Sequence, residues 1–263
     1  AVSTVFLKVF GHENWMYLMM LLALLPLIAS AMFMLSPMPD MACESASAGT
    51  ATAKRKTLGL ALFVACIFFG SCAENVMSNW ISSYTETALH IDKAVGDLLG
   101  MAMFAVLLGA GRMAYSKFGK NIRPVLLGGM FGAACCYLVA GLAHSALAAF
   151  LACIFTGLFT AMLWPGTLIM MEETLPGVGV AAYALMAAGG DLGASVAPQL
   201  MGAVIDKVSA SPYVAELAAG LHLSAEQVGL KAGMLVSAFF PLAGTVLIVL
   251  MLRYFKNQRT RAC

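Results

Sequence analysis

Two carboxylates stand inside otherwise apolar sequence: Glu74 in Phe68-Phe69-Gly70-Ser71-Cys72-Ala73-Glu74-Asn75, and Asp191 in Ala187-Ala188-Gly189-Gly190-Asp191-Leu192-Gly193. At the centre of a bilayer helix an ionisable side chain costs at least ~2.5 kcal/mol, so a residue of this kind points to function. A buried carboxylate can exchange protons, and it can also hydrogen-bond a polar solute. Both residues are therefore candidates for proton coupling, and Asp191 also for substrate binding. Around Glu74, the residues Ser71, Asn75, Asn79 and Ser82 step by four, four and three, which places amides and hydroxyls along one helical stripe. Such a stripe suits a polyhydroxylated ligand. Trp80 and Tyr84 are spaced by four and could stack on a sugar ring, although an aromatic belt at the membrane surface has the same composition. Trp164-Pro165-Gly166 predicts a kink beside an indole, because proline cannot donate the backbone bond. Gln199 follows Asp191 by eight residues and can share its face.

The elements that carry these residues are membrane helices. Hydrophobic residues make up 61% of the 263-residue chain and charged residues 11%, against roughly 25% charged in an ordinary soluble domain. Seven apolar runs are each long enough to cross about 30 Å of hydrocarbon: 15–35, from 57 into the polar stretch 74–84, 95–115, 124–143, 147–171, 178–205 and 228–252. They are too long and too continuous for barrel strands. The fold class expected is all-α integral membrane, with one helix, a linker over 36–56 ending in Lys54-Arg55-Lys56, a six-helix bundle over 57–252 and a tail over 253–263.

The Lys and Arg residues set the expected orientation. One set of alternate loops and helix ends holds Lys54, Arg55, Lys56, Arg112, Lys117, Lys120, Arg123, Arg253, Lys256, Arg259 and Arg261; the opposite set holds Lys8, Lys93, Lys207 and Lys231. The linker and the C-terminus are thus expected in the cytoplasm, with the protein in the cell's inner membrane. Residues 1–15 lack the pattern of a signal peptide, and the chain reads as one entered part-way.

Other chemistry finds little support. The cysteines at 66, 72, 135, 136 and 153 lie in apolar runs without disulfide or metal-ligand spacing. An intramembrane aspartyl protease needs a second membrane Asp, and a serine type needs a membrane His; neither is present. No phosphate-binding glycine loop or metal cluster appears. A retinal protein needs a mid-helix Lys in its last span, where Lys231 sits only at the outer edge. No enzyme activity, cofactor, metal or nucleic-acid partner is expected. A seven-helix receptor or channel remains the alternative if the chain is complete as given.

One helix, a basic linker and six more helices resemble the major facilitator superfamily from its sixth helix to its twelfth. Three stretches carry the resemblance. Gly111-Arg112-Met113-Ala114-Tyr115-Ser116-Lys117-Phe118-Gly119-Lys120 is similar to the family's G-x-x-x-D-R-x-G-R loop motif, with Tyr115 in the acidic position and one extra residue before Gly119. The run from Gly189 to Gly202, followed by Asp206, resembles the small-residue-rich eleventh helix; such residues let helices approach closely in lipid. Glu74, Asn75, Asn79, Trp80 and Tyr84 resemble the polar seventh helix of fucose-permease-like sugar symporters. The resemblance implies a secondary transporter for a small polar solute, a sugar among the candidates, coupled to a proton or cation and working with an N-terminal six-helix half. Its substrate-binding residues would be Asn75, Asn79, Trp80, Tyr84, Trp164, Asp191 and Gln199; Gly111, Arg112, Lys117, Gly119 and Lys120 would form a cytoplasmic gating loop.

Overall fold

The computed structural model describes residues 2–36, 50–220 and 223–260. The chain divides into two units, Ala1–Ser45 and Ala46–Cys263. In the first, a short helix Val2–Phe10 turns at Gly11, whose φ of 87° lies in the left-handed region open to glycine, into the membrane-length helix α1 (Trp15–Leu35). The expected linker lies largely outside the described residues, at 37–49. Its last seven residues are helical, because the next helix begins at Thr50.

The second unit holds six helices of membrane length: α2 (Thr57–Ala88), α3 (Lys93–Phe118), α4 (Ile122–Leu142), α5 (Ala146–Thr174), α6 (Gly179–Ser209) and α7 (Ala225–Lys256). No strand occurs among the described residues. The connections are tight and capped. Asp92 accepts from the amides of Ala94 and Val95 at 3.0 and 3.3 Å, Asn121 opens α4, Ser145 opens α5, and Ser224 with Gln227 forms a reciprocal capping box on α7. A further short helix, Pro212–Gly220, links α6 to α7.

α2 packs along α6 and also meets α5 and the second half of α7, while α4 packs against α5 and α7, and α3 against α5. Exchanging α2 with α5, α3 with α6 and α4 with α7 maps α2–α6 onto α5–α3, and α4–α5 onto α7–α2. Helices three apart in sequence run in opposite directions; α6 also packs along the first half of α7, a contact with no comparable counterpart between α3 and α4, so the exchange matches only part of the packing. The core consists of apolar side chains such as Phe63, Ile67, Met77, Ile81, Leu126, Met130, Leu163 and Met186.

Since lipid is as apolar as leucine, close approach rather than water exclusion holds such helices together. Gly193 shows the effect: a Cβ there would lie 2.5 Å from the carbonyl oxygen of Phe68 on α2. Two tyrosines tie α2 to α4. The hydroxyl of Tyr137 donates to the carbonyl of Ala73 at 2.8 Å, and that of Tyr84 donates to the carbonyl of Ala140.

Two helices are interrupted where proline predicts it. α5 breaks at 161–162, between Ala146–Thr160 and Leu163–Thr174, four residues before Pro165. α7 breaks at Ala238, between Ala225–Ser237 and a helix that starts at Phe239 and contains Pro241.

A candidate site at the break in helix α5

Glu74 belongs to α2 and is paired. Its carboxylate lies 3.6 Å from Nη2 of Arg112 on α3, with the two side chains 21% and 44% exposed. The same guanidinium donates through Nε to the carbonyl oxygen of Ala161 at 3.0 Å, at the break in α5. Three helices thus meet at one arginine. The sequence motif placed Arg112 in a loop, whereas α3 continues to Phe118 and leaves only 119–121 as connection. α3 can approach α5 this closely because residue 111 is glycine: a Cβ there would stand 2.7 Å from that of Ala161. A helical side chain leans back toward the N-terminus of its helix, which carries the guanidinium of Arg112 away from the basic end of α3 and toward Glu74. An ion pair removed from water still costs desolvation, but an unpaired charge at the same depth would cost far more.

The polar stripe of α2 is mostly satisfied within its own helix. Nδ2 of Asn75 donates to the carbonyl and hydroxyl oxygens of Ser71 at 3.0 and 3.3 Å, and Nδ2 of Asn79 donates to the carbonyl of Asn75 at 2.7 Å. Among the described residues no donor reaches the Oδ1 of either asparagine, so both can accept from a hydroxyl. Ser82 leaves the stripe and bonds Asp97, where the end of α2 and the start of α3 both widen into π-helical turns, Tyr84–Ala88 and Gly96–Met101.

The two aromatic candidates of α2 part company. Trp80 donates its indole N–H to the carbonyl of Pro198 on α6 at 3.1 Å. Tyr84 is fully buried and turned to α4, so it is a core residue in this bundle rather than a wall of an open site. Trp164 is half-buried, directly after the break in α5, with its indole nitrogen against Gly190 of α6. Asp191 follows that glycine and is exposed, as are Ser195 and Gln199 at successive spacings of four; Ser195 donates to the carbonyl oxygen of Asp191 at 2.8 Å. No donor meets the Asp191 carboxylate among the described residues.

Glu74, Arg112 and the carbonyl of Ala161 are therefore brought together, Trp164 sits beside the glycine that precedes Asp191, and Ser71 lies where α2 approaches Gly193. Lys117, Gly119 and Lys120 stay at the far end of α3, where the ammonium of Lys117 lies 5.5 Å from the ring centre of Phe118. Sequence reasoning treated Arg112 and the Pro165 kink as separate features. The available signal was an arginine late in an otherwise apolar run and a carbonyl four residues ahead of a proline.

Elsewhere, a groove of about 470 Å³ between the first halves of α2 and α6 is walled by Leu60, Val64, Phe68, Leu185 and Leu192, with Thr57 as its one polar side chain, and so is almost wholly apolar. No group of three or more His, Cys, Asp or Glu is placed to hold a metal among the described residues.

A family model described as Major Facilitator Superfamily matches residues 1–198. No curated protein matches the chain.

Proposed function

Because the chain belongs to the Major Facilitator Superfamily, and so is a multi-pass membrane protein of a transporter family, we propose that it moves a small polar solute, a sugar being the leading candidate, by secondary active transport coupled to a proton or cation. We assign the chain to helices six to twelve of a fucose-permease-like member in the inner membrane, with its C-terminus cytoplasmic. In this assignment the bundle over 57–252 works against an N-terminal six-helix half in alternating access. Membership of the family disfavours the seven-helix receptor.

The observation that carries the proposal is the Glu74–Arg112 pair on membrane-length helices. Charges this costly to bury belong on a path for solute or ions. Glu74 can alternate between its arginine partner and a proton, while the carbonyl oxygens of Asn75 and Asn79 accept from solute hydroxyls and Trp164, Asp191 and Gln199 complete the path. Gly111, Arg112, Lys117, Gly119 and Lys120 link that path to the cytoplasmic end.

Uptake into proteoliposomes, measured across a panel of sugars with and without an imposed pH gradient, tests this. We expect one or more sugars to accumulate only when the gradient is present. Glu74→Gln and Asp191→Asn should each cut gradient-driven uptake at least about tenfold, the rate change that corresponds to 1.36 kcal/mol. Uptake left intact in both variants would sink the assignment of these carboxylates.

A further inference from the structure

The N–H of residue i in an α-helix bonds the carbonyl of residue i−4. For the carbonyl of Ala161 that donor would be the amide of residue 165, and residue 165 is proline, which has none. The next bond in the ladder is intact, since the amide of Gly166 donates to the carbonyl of Met162 at 2.8 Å. The oxygen that the proline itself leaves without a backbone donor belongs to a residue that is 1% exposed. That oxygen receives Nε of Arg112 at 3.0 Å.

We infer that Arg112 is a positioning residue: it supplies from α3 the hydrogen-bond donor that Pro165 removes from α5, and in doing so fixes the break that sets Trp164 against Gly190. Three independent features converge on this role. Gly111 admits the backbone of α3 to within side-chain contact of Ala161, with a Cβ-to-Cβ separation of 2.7 Å were residue 111 an alanine. Glu74 supplies the counter-charge that makes a guanidinium tolerable at this depth. Arginine also suits the task chemically. Nε and the η nitrogens point in different directions from one rigid plane, so a single side chain can bond the carbonyl and face the carboxylate together. The inference bears on transport only through the proposal that Trp164 lines the solute path; its test needs no solute, so the two can fail separately.

The test is a rescue. Pro165→Ala restores an amide N–H to residue 165 and so removes the need for a donor from α3. Arg112→Met keeps the length of the side chain and removes the donor, and a Glu74→Gln background keeps a buried carboxylate from being stranded by that change. In this background, with Pro165 present, Arg112→Met should lower the midpoint of thermal unfolding by about 3 °C. When Pro165→Ala is added to the background, the same change should shift it by less than about 1 °C.

A spectroscopic signature separates positioning from general loss of stability. With Trp15→Phe and Trp80→Phe, Trp164 is the sole remaining indole. Its emission maximum and its quenching by acrylamide should change on Arg112→Met and return with Pro165→Ala. An Arg112→Met effect of equal size with and without Pro165→Ala, by either measure, overturns the inference. If Arg112→Met does not accumulate with Pro165 present, yields decide the matter. Accumulation of the Arg112→Met, Pro165→Ala protein supports the inference, and its absence refutes it.

Discussion

Trp80 and Tyr84 stand four residues apart on one helix, yet their polar ends serve different neighbours, the carbonyl of Pro198 on α6 and that of Ala140 on α4. Spacing fixes which way a side chain leaves its helix to within about half a turn; the partner is fixed by which helix packs on that side. We expect Trp80→Phe to keep the aromatic contact and lose one interhelical hydrogen bond, at a cost of about 0.6–1.7 kcal/mol, visible as a fall of a few degrees in the unfolding midpoint in detergent. The same limit explains what could be seen in the sequence at this scale. Glu74 and Asp191 were legible as intramembrane carboxylates because apolar surroundings make any charge conspicuous. That Glu74 has an arginine partner and that Asp191 has none among the described residues depends on the placement of α3, and a single sequence does not encode inter-helix neighbours in any local pattern.

Among whole helices, small residues decide where approach is closest. Leucine at position 193 would have to displace the backbone carbonyl of Phe68, whereas nothing lies within 4 Å of a Cβ at Gly128. Gly193→Leu is expected to destabilise the bundle by about 1–3 kcal/mol through overpacking, and Gly128→Leu to leave it within about 0.5 kcal/mol of the parent. Equilibrium unfolding of the two purified variants distinguishes them, and equal effects would show that the α2–α6 contact does not depend on Gly193. Helix existence and approximate length were plain from the seven apolar runs. The interruption of α5 was also readable from Pro165, because the missing amide is a property of the residue itself. The widening of α2 and α3 into π-helical turns at 84–88 and 96–101 was not, since it follows from the packing of Gly96 on Thr85 and from the bond between Ser82 and Asp97.

For the whole chain, the distribution of Lys and Arg gives an orientation that labelling can check. In a background without native cysteines, Lys120→Cys in the α3–α4 connection should react with a membrane-impermeant maleimide only after the membrane is opened. Ser211→Cys, between α6 and the short helix Pro212–Gly220, should react from outside. The reverse pattern would invert the assignment of every loop. α3 and α6 are the least enclosed helices of the bundle, with 17% and 33% of their most apolar windows buried, and α6 carries Asp191, Ser195 and Gln199 on its open side. A carboxylate and an amide on that side are unsuited to hydrocarbon.

The paired tyrosines between α2 and α4 carry a mechanical consequence. These helices run in the same direction, and each donates one hydroxyl to the other's backbone at a different height, Tyr137 to Ala73 and Tyr84 to Ala140. Sliding one past the other by a single turn, about 5.4 Å, would break both bonds inside an apolar core with no water to replace them. Both bonds therefore oppose a change of register between the two helices, whereas the ladders of α5 and α7 are already interrupted within the bundle.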